Sequence, residues 1–282
     1  MTTTAPGVVR LAASNIAWEP AEDDAVAKVL CAAGFTGVEI APTKRWESPI
    51  EATKREITAY KAEWAKRGLK IVALQSLLYG RTDLQLFGNQ VGRRALREYM
   101  ITLIEMASGL GATALVFGSP KNRQRRAMAM PEAMEIASEF FREIGALALS
   151  HGCAVCIEPN PPSYDCDFIN TTAEAVALIE AIASRGIKVQ GDVGAILSMN
   201  EDPASALRTA GGFIGHFHVS EPGLAEIADV AANQAASRVL NEVGYRGWVS
   251  IEMRAAENGA RVEAVARAAE KVAAIYGAAG PV

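Results

Sequence analysis

The sequence is poor in what would tie a protein to a nucleic acid, a membrane or an oxidising compartment. Acidic residues outnumber basic ones, 32 to 28, giving a formal net charge of −4 and a pI near 5.6. That balance argues against an electrostatic grip on nucleic acid. No apolar run reaches the roughly 18 residues of a spanning helix, and the opening "MTTTAPGVVR" lacks the charged and apolar segments of a signal peptide. Cysteine is limited to Cys31, Cys153, Cys156 and Cys166. "CAVC" spells C-x-x-C, but a strand there sets its two thiols on opposite faces, so all four are expected as reduced core residues of a cytoplasmic protein. No Pro- or Ser-rich linker, low-complexity tract or charge block interrupts the chain, and residues 1–282 are expected to form one domain.

What is present is alternation. Half the residues are apolar, and short strand-like runs alternate with longer amphipathic stretches from end to end. The strand candidates are 9–14, 37–41, 70–75, 114–119, 154–159, 188–193, 214–219 and 248–253. Helical stretches fall near 22–33, 50–67, 92–110, 131–151, 172–185, 202–210, 231–243 and 258–276. Glycine turns such as "KRGLKIVAL" and "VGYRGWVSIE" announce several of the strands. Such a repeating unit predicts an α/β fold, a single closed (β/α)₈ TIM barrel. The alternative, a doubly wound open sheet, needs a glycine-rich phosphate turn after its first strand, and "SNIAWEP" is not one.

Histidine is the scarcest of the chemically active residues, at three in the chain, yet two of the three stand together in "GHFHVSEPG". In a strand, His216 and His218 share a face and Phe217 points the other way. Chemistry in a barrel sits at the carboxyl ends of the strands. Those ends supply Glu158, Asp192, His218 and Glu252 on the fifth to eighth strands. Val155, Ile157, Val249, Ile251 and Met253 read as the faces toward the helices, which turns the four candidates inward. One step below them lie Cys156, Gln190, His216 and Ser250, a polar layer suited to orienting metal ligands. A lone carboxylate at a strand end is usually a solvated turn residue. Three converging with an imidazole would repel one another, and a divalent cation resolves that repulsion. The donor set suits Mn²⁺ or Mg²⁺, with Co²⁺, Fe²⁺ and Zn²⁺ as alternatives, and the lack of thiolates argues against structural zinc.

These residues, with "GFTGVEIAP", "CIEPNPPSYDCDFINT", "QGDVGAILSMNED" and "YRGWVSIEM", resemble the xylose isomerase-like TIM barrels, the sugar phosphate isomerase/epimerase family that includes ketose 3-epimerases and endonuclease IV. The resemblance implies that Glu158, Asp192, His218 and Glu252 are metal ligands, and that Glu158 and Glu252 are also the acid and base. It departs from the ketose 3-epimerases at Ala195 and Leu224, where those enzymes carry a substrate-contacting histidine and arginine. The three histidines cannot reproduce the trizinc site of endonuclease IV.

The expected activity is a metal-dependent isomerisation or epimerisation of a sugar, sugar acid or sugar phosphate, with the two carboxylates moving a proton through an enediolate on the metal. Alternatives are an inosose-type dehydratase on the same site and a non-catalytic sugar-binding barrel. The small-molecule carbohydrate would meet Trp18, Gln75, Lys121, Arg123, Asn160 and Glu221. His216, Gln190 and Ser250 would support the ligands from below. Trp46 is a second candidate wall, and Glu39 joins Gln75 in pointing inward if the second and third strands keep the assumed register. In "GSPKNRQRR" the basic side chains offer hydrogen bonds to an anionic group. No nucleic acid or membrane partner is expected; homo-oligomerisation through the outer helices is left open.

Overall fold

The structure, a computed structural model, describes residues 9–277. Eight parallel strands close into a barrel in sequence order. They are β1 (Arg10–Ser14), β2 (Gly37–Ile40), β3 (Lys70–Leu74), β4 (Ala114–Phe117), β5 (Ala154–Ile157), β6 (Ile187–Asp192), β7 (Ile214–Val219) and β8 (Trp248–Ile251). Around them run α1 (Asp23–Ala32), α2 (Lys54–Lys66), α3 (Gln90–Leu110), α4 (Met130–Ser150), α5 (Thr172–Ile182), α6 (Val193–Ser198), α7 (Pro203–Ala210), α8 (Val230–Glu242) and α9 (Arg261–Val272). The expected (β/α)₈ architecture is what the chain adopts. Among the described residues no helix is long and apolar enough to cross a membrane.

Local chemistry explains where the elements begin and end. Helix α2 starts at Lys54, four residues later than expected, because Pro49–Glu51 forms its own short turn and Thr53 caps the helix. There the Glu56 amide donates to the Thr53 hydroxyl at 3.3 Å, and the Glu56 carboxylate accepts from the Thr53 amide at 2.8 Å. Helix α6 was not anticipated at all. The sequence stretch reads as loop, but Asp192, at the end of β6, accepts from the Ala195 amide and so nucleates a turn. The last helix ends at Val272 and continues as a π-helical turn, Ala273–Gly277.

Two packing layers follow from the alternation of side chains. Val38, Ile40, Val155, Ile157, Phe217, Val219, Val249 and Ile251 belong to the large core shared with the helices. The barrel interior is filled by a smaller cluster, Ala12, Val72, Ala73, Ala114, Cys156 and Trp248. Trp248, the first residue of β8, plugs the amino end of the barrel, and Arg10 lies 4.6 Å over its ring. This plug requires glycine on the opposing wall: a Cβ at Gly37 would stand 2.7 Å from Trp248 Cζ3 and 3.0 Å from Ala12 Cβ. Of the cysteines, Cys153, Cys156 and Cys166 are buried as expected; Cys31 is exposed on α1, so it is not a core residue.

Two register shifts sit beside the residues of interest. Between β2 and β3, Val38 pairs with Ile71 but Glu39 pairs with Ala73, leaving Val72 as an extra residue. Between β6 and β7, Val189 pairs with Ile214 and Gln190 with His216, leaving Gly215 extra. Such bulges re-aim the residues that follow. Here the second one sets Asp192 level with His218. The crowding around the plug gives a direct test: Gly37→Ala should destabilise the protein by about 1–3 kcal/mol, read as a lower midpoint in urea unfolding with an unchanged slope.

Candidate metal centre

His218 is completely buried, and its two ring nitrogens face different surroundings. Nε2 lies 3.0 and 3.1 Å from the two carboxylate oxygens of Glu39. Nδ1 lies 3.2 Å from Glu252 Oε2, 3.5 Å from Asp192 Oδ2 and 3.6 Å from Glu158 Oε1, yet makes no hydrogen bond of good geometry. A buried nitrogen left over among three carboxylates is the donor set of a cation site. One atom from each of Glu158, Asp192, His218 and Glu252 lies within 4.8 Å of all the others. Hard oxygen donors with a single imidazole suit an ion such as Mn²⁺ or Mg²⁺.

Each ligand strand positions its side chain by a different device. Asp192 caps α6: its Oδ1 accepts from the Ala195 amide at 2.6 Å and from the Ser220 hydroxyl at 2.7 Å, leaving Oδ2 toward the centre. The Ser220 hydroxyl also accepts from the Gly194 amide at 2.9 Å, tying β6 to β7. Glu158 stands one residue beyond β5. Asn160 Nδ2 donates to its Oε2 at 2.9 Å, which leaves Oε1 free. Room for that carboxylate exists only because residue 118, beyond β4, is glycine; a Cβ there would collide with Glu158 Oε2. Glu252, one residue beyond β8, is held least. Among the described residues its carboxylate makes no hydrogen bond apart from the approach to His218.

Electrostatics follow the packing. Burial, reinforced by the charges of Glu158 and Asp192 and opposed by His218, pushes the Glu252 carboxyl up to about 7. Burial disfavours a charge on His218, but Glu39 and Glu252 outweigh it and raise the imidazole well above its ordinary range. Glu39 is fully buried; the two imidazoles overcome the burial penalty and hold its carboxyl far below the usual range.

The layer beneath differs from the one expected. His216 Nε2 lies 3.3 Å from Glu39 Oε2, and the Ser250 hydroxyl donates to the same oxygen at 2.6 Å. Both therefore act on Glu39 rather than on the ligands directly. Ser250 pairs in register with His218, not His216, because the strands of a barrel are staggered. Gln190 bonds only to the Gly191 carbonyl at 3.2 Å and leaves its Oε1 unpartnered, so nothing connects it to the ligands.

Above the ligands opens a cavity of about 640 Å³, lined among others by Gln75, Tyr79, Lys121, Asn160, Tyr164, Ala195, Glu221 and Leu224. Of the expected substrate contacts, Gln75, Lys121, Asn160 and Glu221 reach this cavity. Trp18 does not: its ring is fully buried and its Nε1 donates to Asp23 at 2.8 Å. Trp46 packs edge-on against Tyr60 instead. Arg123 is 1% exposed, off the cavity wall, with Nη2 donating to the Glu158 carbonyl. Glu221 faces the cavity but its Oε1 accepts from the Ala228 and Asp229 amides at 2.7 and 2.6 Å, which folds its own loop. Tyr164, absent from the sequence reading, lines the wall and accepts from the Gly223 amide at 3.0 Å, linking the loops after β5 and β7. Only its place six residues beyond Glu158 hinted at this. Ser220 was easier to find, since it follows His216 and His218 in the same alternation.

Protons and a cation compete for the same atoms here. Burial pushes the Glu252 carboxyl up to about 7, and Nδ1 of His218, also raised, must be free of a proton to bind. Mn²⁺ affinity measured by calorimetry should therefore be at least about tenfold weaker at pH 6 than at pH 8. His218→Ala should abolish uptake at both.

Comparison with known proteins bears on the fold. A stretch of 123 residues is 29% identical to D-psicose 3-epimerase of Ruminiclostridium cellulolyticum, covering 42% of this chain and 40% of that protein, less than half of its length. In three dimensions the chain is similar to a D-psicose 3-epimerase solved in the presence of D-fructose, with a TM-score of 0.78 at 17% identity over 96% of this chain and 100% of that one. It is also similar to L-ribulose 3-epimerase, with a TM-score of 0.75 at 19% identity over 95% and 93%. For 3-keto-D-glucoside 4-epimerase from E. coli the TM-score is 0.69 at 19% identity over 92% and 98%. Likeness at such identities establishes a common fold. The family model of the xylose isomerase-like TIM barrel matches residues 27–275, and the chain belongs to that family.

Proposed function

We propose that the protein is a divalent-metal-dependent epimerase or isomerase of an uncharged sugar, with Glu158 and Glu252 as the proton-transferring pair. One observation carries this reading: three carboxylates and the unpartnered His218 Nδ1 converge at the floor of a cavity large enough for a carbohydrate. The relatives named as ketose epimerases support the same class of reaction. A Mn²⁺ or Mg²⁺ ion held by Glu158, Asp192, His218 and Glu252 supplies a Lewis acid for a substrate carbonyl and the negative charge that develops on it.

The protein's own groups do the rest. Glu158 and Glu252 approach the centre from β5 and β8. A substrate carbon between them loses its proton to one carboxylate and regains a proton from the other, on the opposite face. Glu252 is the better first base, since apart from the approach of His218 no side chain restrains it, whereas Asn160 already occupies one oxygen of Glu158. Gln75, whose Nε2 donates to Ser14, offers its amide to a hydroxyl from the β3 side.

The wall also selects against a phosphorylated substrate. Lys121 is the cation that reaches the cavity among the described residues, and Asp165 pairs with it at 3.7 Å. Arg125 is engaged by the backbone of Asp167 and Met128, and its amide, like that of Arg126, donates to the Asp167 carboxylate. The basic loop is thus committed to its own structure, and the wall offers a phosphate no cation free of a carboxylate partner among the described residues.

A screen in D₂O tests the assignment. Mn²⁺-loaded protein should move solvent deuterium onto the carbon beside the carbonyl of a free ketose or keto-glycoside, seen by proton NMR, without new ultraviolet absorbance. Glu252→Gln should slow that exchange by about 10²–10⁴-fold. Rising enone absorbance would identify a dehydratase. Ligand-induced thermal stabilisation with no exchange would identify a binding barrel.

A further inference from the structure

The geometry points to Glu39 as the residue that positions the metal ligand His218, by holding its proton on Nε2 and so presenting Nδ1 to the cation. This inference rests on the metal-centre reading above and adds to it a residue from the far side of the barrel. Glu39 lies on β2, whereas the ligands come from β5, β6, β7 and β8. Its side chain crosses beneath the centre to reach β7 and β8, accepting from Ser250 at 2.6 Å and facing His218 at 3.0 Å and His216 at 3.3 Å.

Glu39, His216 and His218 could be taken for a second cation site, since their donor atoms also cluster. Packing argues otherwise. All three are buried, and both carboxylate oxygens of Glu39 already face ring nitrogens at hydrogen-bonding distance. The clustered atoms, both oxygens of Glu39 and the Nε2 atoms of His216 and His218, are partnered with one another, unlike His218 Nδ1. The cluster is therefore a hydrogen-bonded support. A carboxylate accepting from the distal nitrogen of a ligating histidine fixes its tautomer and ring orientation and increases its basicity toward the metal.

The number of donors is also informative. A buried carboxylate with one partner would be costly, and one with three is compensated. Ser250 and His216 complete that shell, which explains why both histidines of "GHFH" point inward though only His218 reaches the ligand cluster. Their role passes through Glu39.

The test uses the intact protein and Mn²⁺ alone, with affinity measured by calorimetry and folding by thermal melts of the metal-free chains. Wild type should bind Mn²⁺ tightest, Glu39→Asp less tightly, and Glu39→Gln about 10–100-fold more weakly than wild type. Glu39→Asp regains part of the affinity because it restores the charge, a rescue that a merely space-filling role would not produce. A folded Glu39→Gln that binds within about twofold of wild type overturns the inference, and so does Glu39→Asp binding no better than Glu39→Gln. Should Glu39→Gln not fold, Glu39→Asp decides alone, and wild-type affinity in it is the overturning result. If wild-type protein takes up no Mn²⁺, the metal-centre reading itself falls and this inference with it.

Discussion

His218 is surrounded by four carboxylates, with Glu39 on one edge of its ring and Glu158, Asp192 and Glu252 on the other. One imidazole cannot balance that much buried negative charge, whichever protonation state it takes. The arrangement is stable only if each carboxylate has its own compensation. Glu39 has two imidazoles and a hydroxyl, Asp192 has a helix amide and a hydroxyl, and Glu158 has the Asn160 amide. The oxygens left uncompensated all point to one place. A cation there is the economical solution to that repulsion.

The barrel provides this convergence cheaply because strand stagger decides which residues share a level. Asp192 and His218 are register partners, as are His218 and Ser250. Glu158 and Glu252 stand just past their strands, where the chain is free to turn its carboxylates over the mouth. The extra residues Val72 and Gly215 are local departures from regular pairing. Val72, on β3, lies beside β2, and Gly215 lies within β7; both strands carry polar side chains that reach inward. Irregularity at these points serves the site, while the hydrophobic ladder outside continues unbroken in the main core.

Much of this was legible in the sequence because period-two alternation and position at a strand end are local properties. They were enough to define eight strands and to bring Glu158, Asp192, His218 and Glu252 together. What the sequence concealed depends on distance and commitment. Trp18 and Arg123 belong to loops near the mouth, but whether such a side chain turns inward is set by tertiary partners: Asp23 for the indole, the Glu158 carbonyl for the guanidinium. Glu221 lies beside the cavity, yet its carboxylate serves its own loop. The link from Glu39 to His218 spans 179 positions in the chain, and no local pattern predicts it.

The candidate ligands are also unequal, and under the proposed function that inequality bears on turnover. A carboxylate that both binds a cation and moves a proton must be oriented without being saturated by hydrogen bonds. Asp192 Oδ1 accepts both from the α6 cap amide and from Ser220, which orients Oδ2 toward the centre and suits a candidate ligand that only holds a cation. Glu158 is intermediate, with one oxygen held by Asn160. Glu252 has no such restraint, and burial has already moved its titration toward neutrality, where a group can both accept and return a proton. The hydrogen bonding of the four candidate ligands therefore grades them from the most to the least restrained. The two carboxylates bearing the fewest bonds are Glu158 and Glu252, the pair proposed for proton transfer, which line the cavity just past β5 and β8.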